Sequence, residues 1–208
     1  MTAEQRRASI AGLATSGDLS SMATSGWRAF ADDPVVRWCF PDDDDYTANG
    51  RGMFEWILVR GLARGTLWCT PDGVGYANWI APGRPEAIVD ESDDGATEAA
   101  PLWRLERYGA IDAAFTANTP PEPHWYLAML ATHPDWQRRG VGAALMAPAI
   151  AEADAHGLGC YLETESETNV AYYRRHGFEV RSEWDLTVAG ERPDAHGPHM
   201  WGMWRDPR

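Results

Sequence analysis

The chain has 208 residues and a mass of 23.0 kDa, the size of one medium domain, and is read as a single domain over 1–208. With 44% hydrophobic and 24% charged residues it can bury a core, which excludes a disordered chain and a coiled coil. A net charge of −13 disfavours nucleic acid and anionic bilayer surfaces as partners and suits a cationic ligand.

The first ten residues carry Glu4, Arg6 and Arg7 with no hydrophobic run behind them, and no later segment approaches the roughly 20 apolar residues of a membrane span. A cytoplasmic protein without a membrane partner is the expectation. Asp18 is placed to cap a helix in which Leu19, Met22, Ala23, Trp27 and Phe30 recur at three- and four-residue steps until Asp32-Asp33-Pro34 interrupts them. A short helix over 35–39 stops before Pro41. The acidic run 42–45 reads as a solvated turn leading into a helix over 47–64, with Phe54, Ile57, Leu58 and Leu62 on one stripe. Segments 66–70 and 74–80 bracket Pro71-Asp72-Gly73 as a hairpin, and 81–96 is loop. Helices follow over 102–108 and 111–117, ended by Thr119-Pro120-Pro121.

The continuous, largely apolar stretch 124–132 reads as a strand buried on both faces and central to the sheet. A helix over 142–156, kinked at Pro148, a strand over 159–163, a helix over 168–176 and a strand over 178–188 come next. Residues 199–204 return as a hairpin partner across the 189–198 loop. This alternation predicts an α/β layer with a mixed sheet. Cys39, Cys69 and Cys160, odd in number and far apart, are packing thiols rather than a disulfide framework or metal site. His196 and His199 make a loop pair, since two ligands without a third hold no metal.

Between the central strand and its helix lies Gln137-Arg138-Arg139-Gly140-Val141-Gly142, followed by Ala143. A strand running into a glycine-bearing loop at a helix N-terminus turns several backbone N–H groups and the positive end of a helix dipole toward one point. Such a point binds a phosphate or pyrophosphate. Glycines at 140 and 142 let the main chain approach an anion, and Arg138 and Arg139 add charge-assisted hydrogen bonds. An ordinary tight turn is the alternative. It is not a P-loop, because no Gly-Lys-Ser/Thr follows, and the third glycine of a dinucleotide fingerprint is missing. Further on, Glu163, Thr164 and Glu165 close a strand. In the next helix Asn169 and Tyr173, four residues apart, share a face, and Gly177 stands as its stop before Phe178.

These residues resemble those of the GNAT superfamily of N-acetyltransferases, through Gln-x-x-Gly-x-Gly after the Leu130-Ala131-Thr132-His133-Pro134 strand end and the Asn169, Tyr173, Gly177-Phe178 helix. Residues 123–178 are most similar to puromycin N-acetyltransferase-like members, through Trp125-Tyr126-Leu127-Ala128, Pro134-Asp135, Leu162-Glu163-Thr164 and Tyr173-x-x-x-Gly-Phe. The likeness weakens over 29–82 and fails over 83–119 and 188–198. It implies the acyl-CoA transferase fold of that superfamily, α/β of the α+β type, with a mixed, mostly antiparallel twisted sheet flanked by helices. It implies acetyl-CoA as cosubstrate, its pyrophosphate held by the loop from Gln137 through Arg138, Arg139, Gly140, Val141 and Gly142 to Ala143. A bulge in the strand before that loop would free Leu130 and Thr132 to pair with pantetheine, the Leu130 N–H also facing the thioester oxygen.

By the same resemblance Tyr173 is the general acid, with a structural tyrosine as the alternative, and Asn169 contacts the cofactor, with a helix N-cap as the alternative. Tyr172, turned about 100° away on the helix, suits packing. Glu163 is the candidate base or else a structural carboxylate, with His124 behind it. Trp27, Trp38, Trp56, Trp68, Trp79 and Trp125 fall in segments that can line an acceptor pocket between the early helices and the sheet, although most such rings fill core. The acceptor implied is the primary amine of an antibiotic-like or metabolite small molecule, attacking the thioester directly in a monomer or homodimer. A protein or peptide acceptor is the second reading. A non-catalytic acyl-CoA sensor is the third, opposed by the retention of Tyr173, Glu163 and Gly140-Val141-Gly142.

Overall fold

The computed structural model describes residues 11–83, 102–188 and 197–208, so most of the predicted loops over 81–96 and 189–198, and His196, lie outside the described residues. The first apolar stripe forms helix α1 (Leu19–Ala29), which buries Met22 and Ala23. Asp18 does not cap α1 with its side chain; its carboxylate accepts from the Thr15 N–H and hydroxyl at 2.8 and 2.7 Å. Asp33 takes the capping role for the next helix. Its carboxylate accepts the Val36 N–H at 2.8 Å, and Pro34, already fixed near helical φ, opens α2 (Pro34–Cys39).

Asp42 caps a helical turn (Asp43–Asp45) that widens through a π-turn (Tyr46–Gly50) into α3 (Arg51–Arg64). The acidic run is only partly a solvated turn, because Asp45 pairs with Arg104, which is 5% exposed. Arg104 belongs to α4 (Leu102–Asn118), one helix where the sequence suggested two. Gly109 lies inside it, a tolerated interruption that costs roughly 1 kcal/mol in helix propensity.

Among the described residues seven strands form one sheet, in the order β1-β2-β3-β4-β5-β7-β6. They are β1 (Gly12–Leu13), β2 (Leu67–Cys69), β3 (Gly75–Ile80), β4 (His124–Thr132), β5 (Gly159–Thr164), β6 (Glu179–Asp185) and β7 (His199–Arg205). Among the described strands only β4 and β5 run parallel, joined through α5 (Val141–Ala155). Segment 199–205 does pair with β6 as foreseen, and it also inserts between β5 and β6. The two-residue β1 was not foreseen. Helix α6 (Glu167–Arg174) follows β5, and Pro148 sits inside α5 without ending it.

The sheet separates two cores. Against α5 lie Trp79, Trp125, Leu127, Val141, Leu145, Leu162, Tyr173 and Phe178. On the opposite face Met22, Phe40, Tyr46, Phe54, Leu58 and Tyr76 pack under α1 to α3. Trp68, Trp79 and Trp125 form one aromatic group on the α5 side, with Trp125 6.1 and 6.4 Å from its two neighbours, so these three fill core rather than an acceptor pocket. Trp27, Trp38 and Trp56 are part-exposed on the early helices; Trp27 neighbours Tyr46 at 6.3 Å, Trp38 lies under Arg107 and Trp56 under Arg60.

Arg205 of β7, 4% exposed, is clamped by both carboxylate oxygens of Asp154 at 2.7 and 2.9 Å, and Asp154 Oδ1 also accepts the Arg208 N–H. Removing one partner of a buried pair leaves a charge without compensation. Asp154→Ala is therefore expected to lower stability in urea unfolding by about 3 kcal/mol. A loss below about 1 kcal/mol, the scale of surface pairs, would show that the clamp is dispensable.

Candidate active site

The site begins with a fault in β4. Asn78 of β3 stands opposite Met129 and Trp79 opposite Leu127, so Ala128 is an extra residue, a β-bulge. Its effect on facing is visible in the cores. Trp125 and Leu127 pack toward α5 before it, and Leu130 does so after it, while Met129 and Ala131 turn to the other face. The bulge also marks where β4 leaves β5: pairing runs from His124 with Gly159 to Leu127 with Leu162 and stops. Beyond that point β4 keeps β3, β5 keeps β7, and a gap opens between them.

The His133 N–H donates to the Val74 carbonyl at 2.8 Å. Backbone groups alternate along an antiparallel ladder, so those of Leu130 and Thr132 turn away from β3 and into the gap. These are the two positions singled out from the sequence. The Thr132 carbonyl is engaged by Gln137 Nε2 at 3.2 Å, which gives Gln137 a concrete task of fixing the loop to the strand end.

Past the strand, the chain makes a 3₁₀ turn (Pro134–Trp136) and enters α5 through two left-handed residues, Arg138 at φ 60° and Gly140 at φ 85°. Gly140 is the N-cap of α5, and the φ there is one that only glycine adopts without cost. No atom lies within 4 Å of the place a Cβ would occupy at Gly140, so that side of the turn is open. Gly142 is small for a different reason: a Cβ there would sit 2.7 Å from the Tyr172 hydroxyl. Val141 is 1% exposed and its side chain belongs to the core, so it offers only its main chain. The N–H groups of Val141, Gly142 and Ala143 open the helix, where no preceding turn supplies carbonyls to them. Arg138 and Arg139 are exposed, with the Arg139 guanidinium 5.2 Å from the Trp136 ring centre. Open space, unpaired helix-start donors and two exposed arginines fit a diphosphate.

On β5, Cys160 and Leu162 face the α5 core, so Tyr161 and Glu163 face the early helices. Burial holds the Glu163 carboxyl up at about 7, with the Tyr126 and Tyr161 phenols acting in the opposite direction. Its Oε1 is buried and makes no hydrogen bond among the described residues. Glu163 thus titrates in the range where a base works near neutral pH.

Tyr173, 9% exposed, packs edge-on against Tyr172 at 5.2 Å and Phe178 at 5.9 Å. Burial, then the charge of Glu165 and the Tyr172 phenol, raise its hydroxyl well above the ordinary tyrosine range, so it keeps its proton. Among the described residues that hydroxyl has no hydrogen-bond partner. Asn169 is not the N-cap of α6: Ser166 is, its Oγ accepting the Asn169 N–H at 3.1 Å. The Asn169 side chain instead donates to Glu165 Oε1 at 3.1 Å.

His124 stands at the opposite end of β4 from the gap, its Nδ1 2.6 Å from the Glu122 carbonyl and its ring between Tyr161 and Trp204. That position removes it as a base. His199 Nδ1 contacts Asp185 Oδ1 at 2.7 Å, and no cluster of three metal-ligating side chains occurs among the described residues.

Two residues that sequence reasoning passed over complete the arrangement. Glu165, just past the end of β5, and Asp33, the N-cap of α2, bring their carboxyl groups into hydrogen-bonding contact. The alternation of Tyr161, Glu163 and Glu165 along one strand face was a usable signal; Asp33, distant in sequence, gave none.

Residues 78–178 match the family model described as the Acetyltransferase (GNAT) family. A Corynebacterium glutamicum protein described as histone acetyltransferase HPA2 and related acetyltransferase has a similar structure, at 25% identity and a TM-score of 0.66 over 96% of each chain. Arylalkylamine N-acetyltransferase 2 from Aedes aegypti is similar at 12% identity and a TM-score of 0.62, over 96% of this chain and 99% of its own. Polyamine N-acetyltransferase of Drosophila melanogaster follows at 13% and 0.61, over 95% of this chain and 99% of its own. The family match over 78–178, just under half of the chain, takes in the bulged strand, the glycine loop and the tyrosine helix, and with a fold shared along nearly the whole chain it reads this protein as an acetyltransferase whose cosubstrate is acetyl-CoA.

Proposed function

We propose that the protein transfers the acetyl group of acetyl-CoA to the primary amine of a small molecule, the amine attacking the thioester directly. The observation that carries this reading is the gap between β4 and β5, which has an anion cradle at one end and an acid and a base of matched protonation beside it. Val141, Gly142 and Ala143 N–H groups with Arg138 and Arg139 hold the diphosphate; Gln137 fixes their loop; Leu130 and the Thr132 N–H pair with the pantetheine arm.

The acceptor enters as an ammonium, which has no lone pair for attack. Glu163 removes the proton, and Tyr173 supplies one to the departing thiolate. Asn169 acts through Glu165 rather than on the cofactor. The net charge of −13 favours a cationic acceptor, and the arylalkylamine and polyamine named in two similar enzymes agree with this class. The likeness of 123–178 to puromycin N-acetyltransferase-like members supports a small-molecule acceptor over a peptide.

The test is release of free thiol from acetyl-CoA in the presence of a panel of amines, antibiotics and peptides. Acceleration by small amines is expected. Binding of acetyl-CoA with no acceleration by any acceptor would instead establish a sensor. A second expectation concerns the cradle. Gly140→Val places a β-branched residue at φ 85°, a strain of roughly 1–3 kcal/mol. Coenzyme A binding by calorimetry is expected to weaken at least about tenfold, and unchanged affinity would remove this turn from the anion site.

A further inference from the structure

The Asp33 and Glu165 carboxyl groups meet at the place where the early helices reach the open end of the sheet. Asp33 is fixed by the start of α2, through the Val36 N–H at 2.8 Å, and Glu165 by the Asn169 amide at 3.1 Å. Among the described residues neither has a cationic partner: Arg37, the nearest in sequence to Asp33, is committed to Asp43 at 2.5 Å. Two carboxyl groups in contact, largely shielded from water, cannot both ionise: burial and then the charge of Asp33 raise Glu165, which holds the shared proton, while burial raises Asp33 against the hydrogen bond from Glu165, which lowers it. Burial keeps Tyr46, Cys39 and Tyr173 neutral, and the carboxyl charges add to it, Asp33 at Tyr46 and Cys39 on the α2 side and Glu165 at Tyr173 on the α6 side. The Tyr173 phenol, more than nine-tenths buried, lies within reach of the Glu165 charge, and its hydroxyl makes no hydrogen bond among the described residues. A site with a shared proton, one net negative charge and an uncommitted donor beside it is built to exchange that proton for a cation.

We propose that Asp33 and Glu165 form the docking site for the acceptor's ammonium group and so select cationic amines. The inference rests on the reading of the site as amine-accepting and adds which residues choose the amine. When the ammonium docks, it takes the position of the shared proton, which leaves to solvent. A pair with one proton and one negative charge becomes two carboxylates facing one positive charge, and no covalent bond to carbon changes.

The experiment is calorimetric titration of coenzyme A-loaded protein with methylamine, phenethylamine and 1,4-diaminobutane at pH 7. Two buffers lacking primary amines and differing in ionisation enthalpy report the protons released. Close to one proton per bound amine is expected for the wild type. Glu165→Gln is expected to raise the amine Kd at least about tenfold and abolish the release. Asp33→Asn keeps an N-cap acceptor for α2 and is expected to do the same. The exposed Glu167→Gln on the same helix serves as the control and is expected to change neither quantity. Binding without proton release, unchanged affinity in both pair variants, or no amine bound at millimolar concentration overturns the proposal. Proton-releasing binding with no thiol release from any acceptor would sink the acetylation reading while leaving the docking site standing.

Discussion

Glu163→Gln is expected to make the enzyme slower and the fold more stable. As the proton acceptor proposed for the amine, Glu163 should supply a contribution of the usual general-base size, so kcat/KM should fall roughly a hundredfold or more. The wild-type pH profile should rise through an inflection near 7, where burial holds this carboxyl, and the inflection should vanish in the variant. It should survive in Glu165→Gln, which separates this group from its neighbour.

The stability effect has a definite sign. The folded-state value lies near 7 against 4.5 for the free side chain, so the folded state favours the protonated acid. Below pH 4.5 both states are protonated and burial carries no charge penalty. As pH rises from there to about 7 the wild type loses that advantage, and above 7 the full penalty applies. The Gln variant, uncharged throughout, should be more stable at pH 8 by about 2 to 3 kcal/mol and indistinguishable at pH 4. Equal stability at pH 8, measured in urea, would mean that Glu163 is ionised at little cost and is a structural carboxylate.

Tyr173→Phe is expected to lower kcat by roughly a hundredfold while leaving the KM for acetyl-CoA nearly unchanged. The ring keeps its edge contacts with Tyr172 and Phe178, and only the hydroxyl is lost, which among the described residues holds no other group. A matching loss of stability is therefore not anticipated, and thermal unfolding should shift little. Unchanged turnover would transfer the acid role elsewhere. Tyr172 is the first place to look, since its hydroxyl lies against Gly142.

Much of this arrangement was legible in the sequence because it depends on local chemistry. The apolar stretch 124–132, the glycine loop and the following helix are read from neighbours in the chain, and the structure places them as β4, a turn with left-handed Arg138 and Gly140, and α5. The roles of Leu130 and Thr132 came from a family likeness, and the backbone alternation turns their main chain into the gap. What was not legible depends on distant contacts. The one helix over 102–118 reflects an Asp45–Arg104 pairing across 59 positions, and no window of sequence around Gly109 reports it. Asn169 offered two roles by its position; the cap fell to Ser166 instead, and the engagement of its side chain by Glu165 could not be read from neighbours in the chain. Trp68, Trp79 and Trp125 were indistinguishable from pocket-lining rings until the sheet showed which face they occupy.

The extra residue at Ala128 puts a parity constraint on the enzyme. Since inward and outward positions alternate strictly on either side of it, excising that single alanine would present one half of the strand back to front. Residues that now point their peptide groups into the cleft would knit into the ladder, and the wedge would zip shut. Evolution of this ribbon can therefore exchange side chains freely more readily than it can change their number.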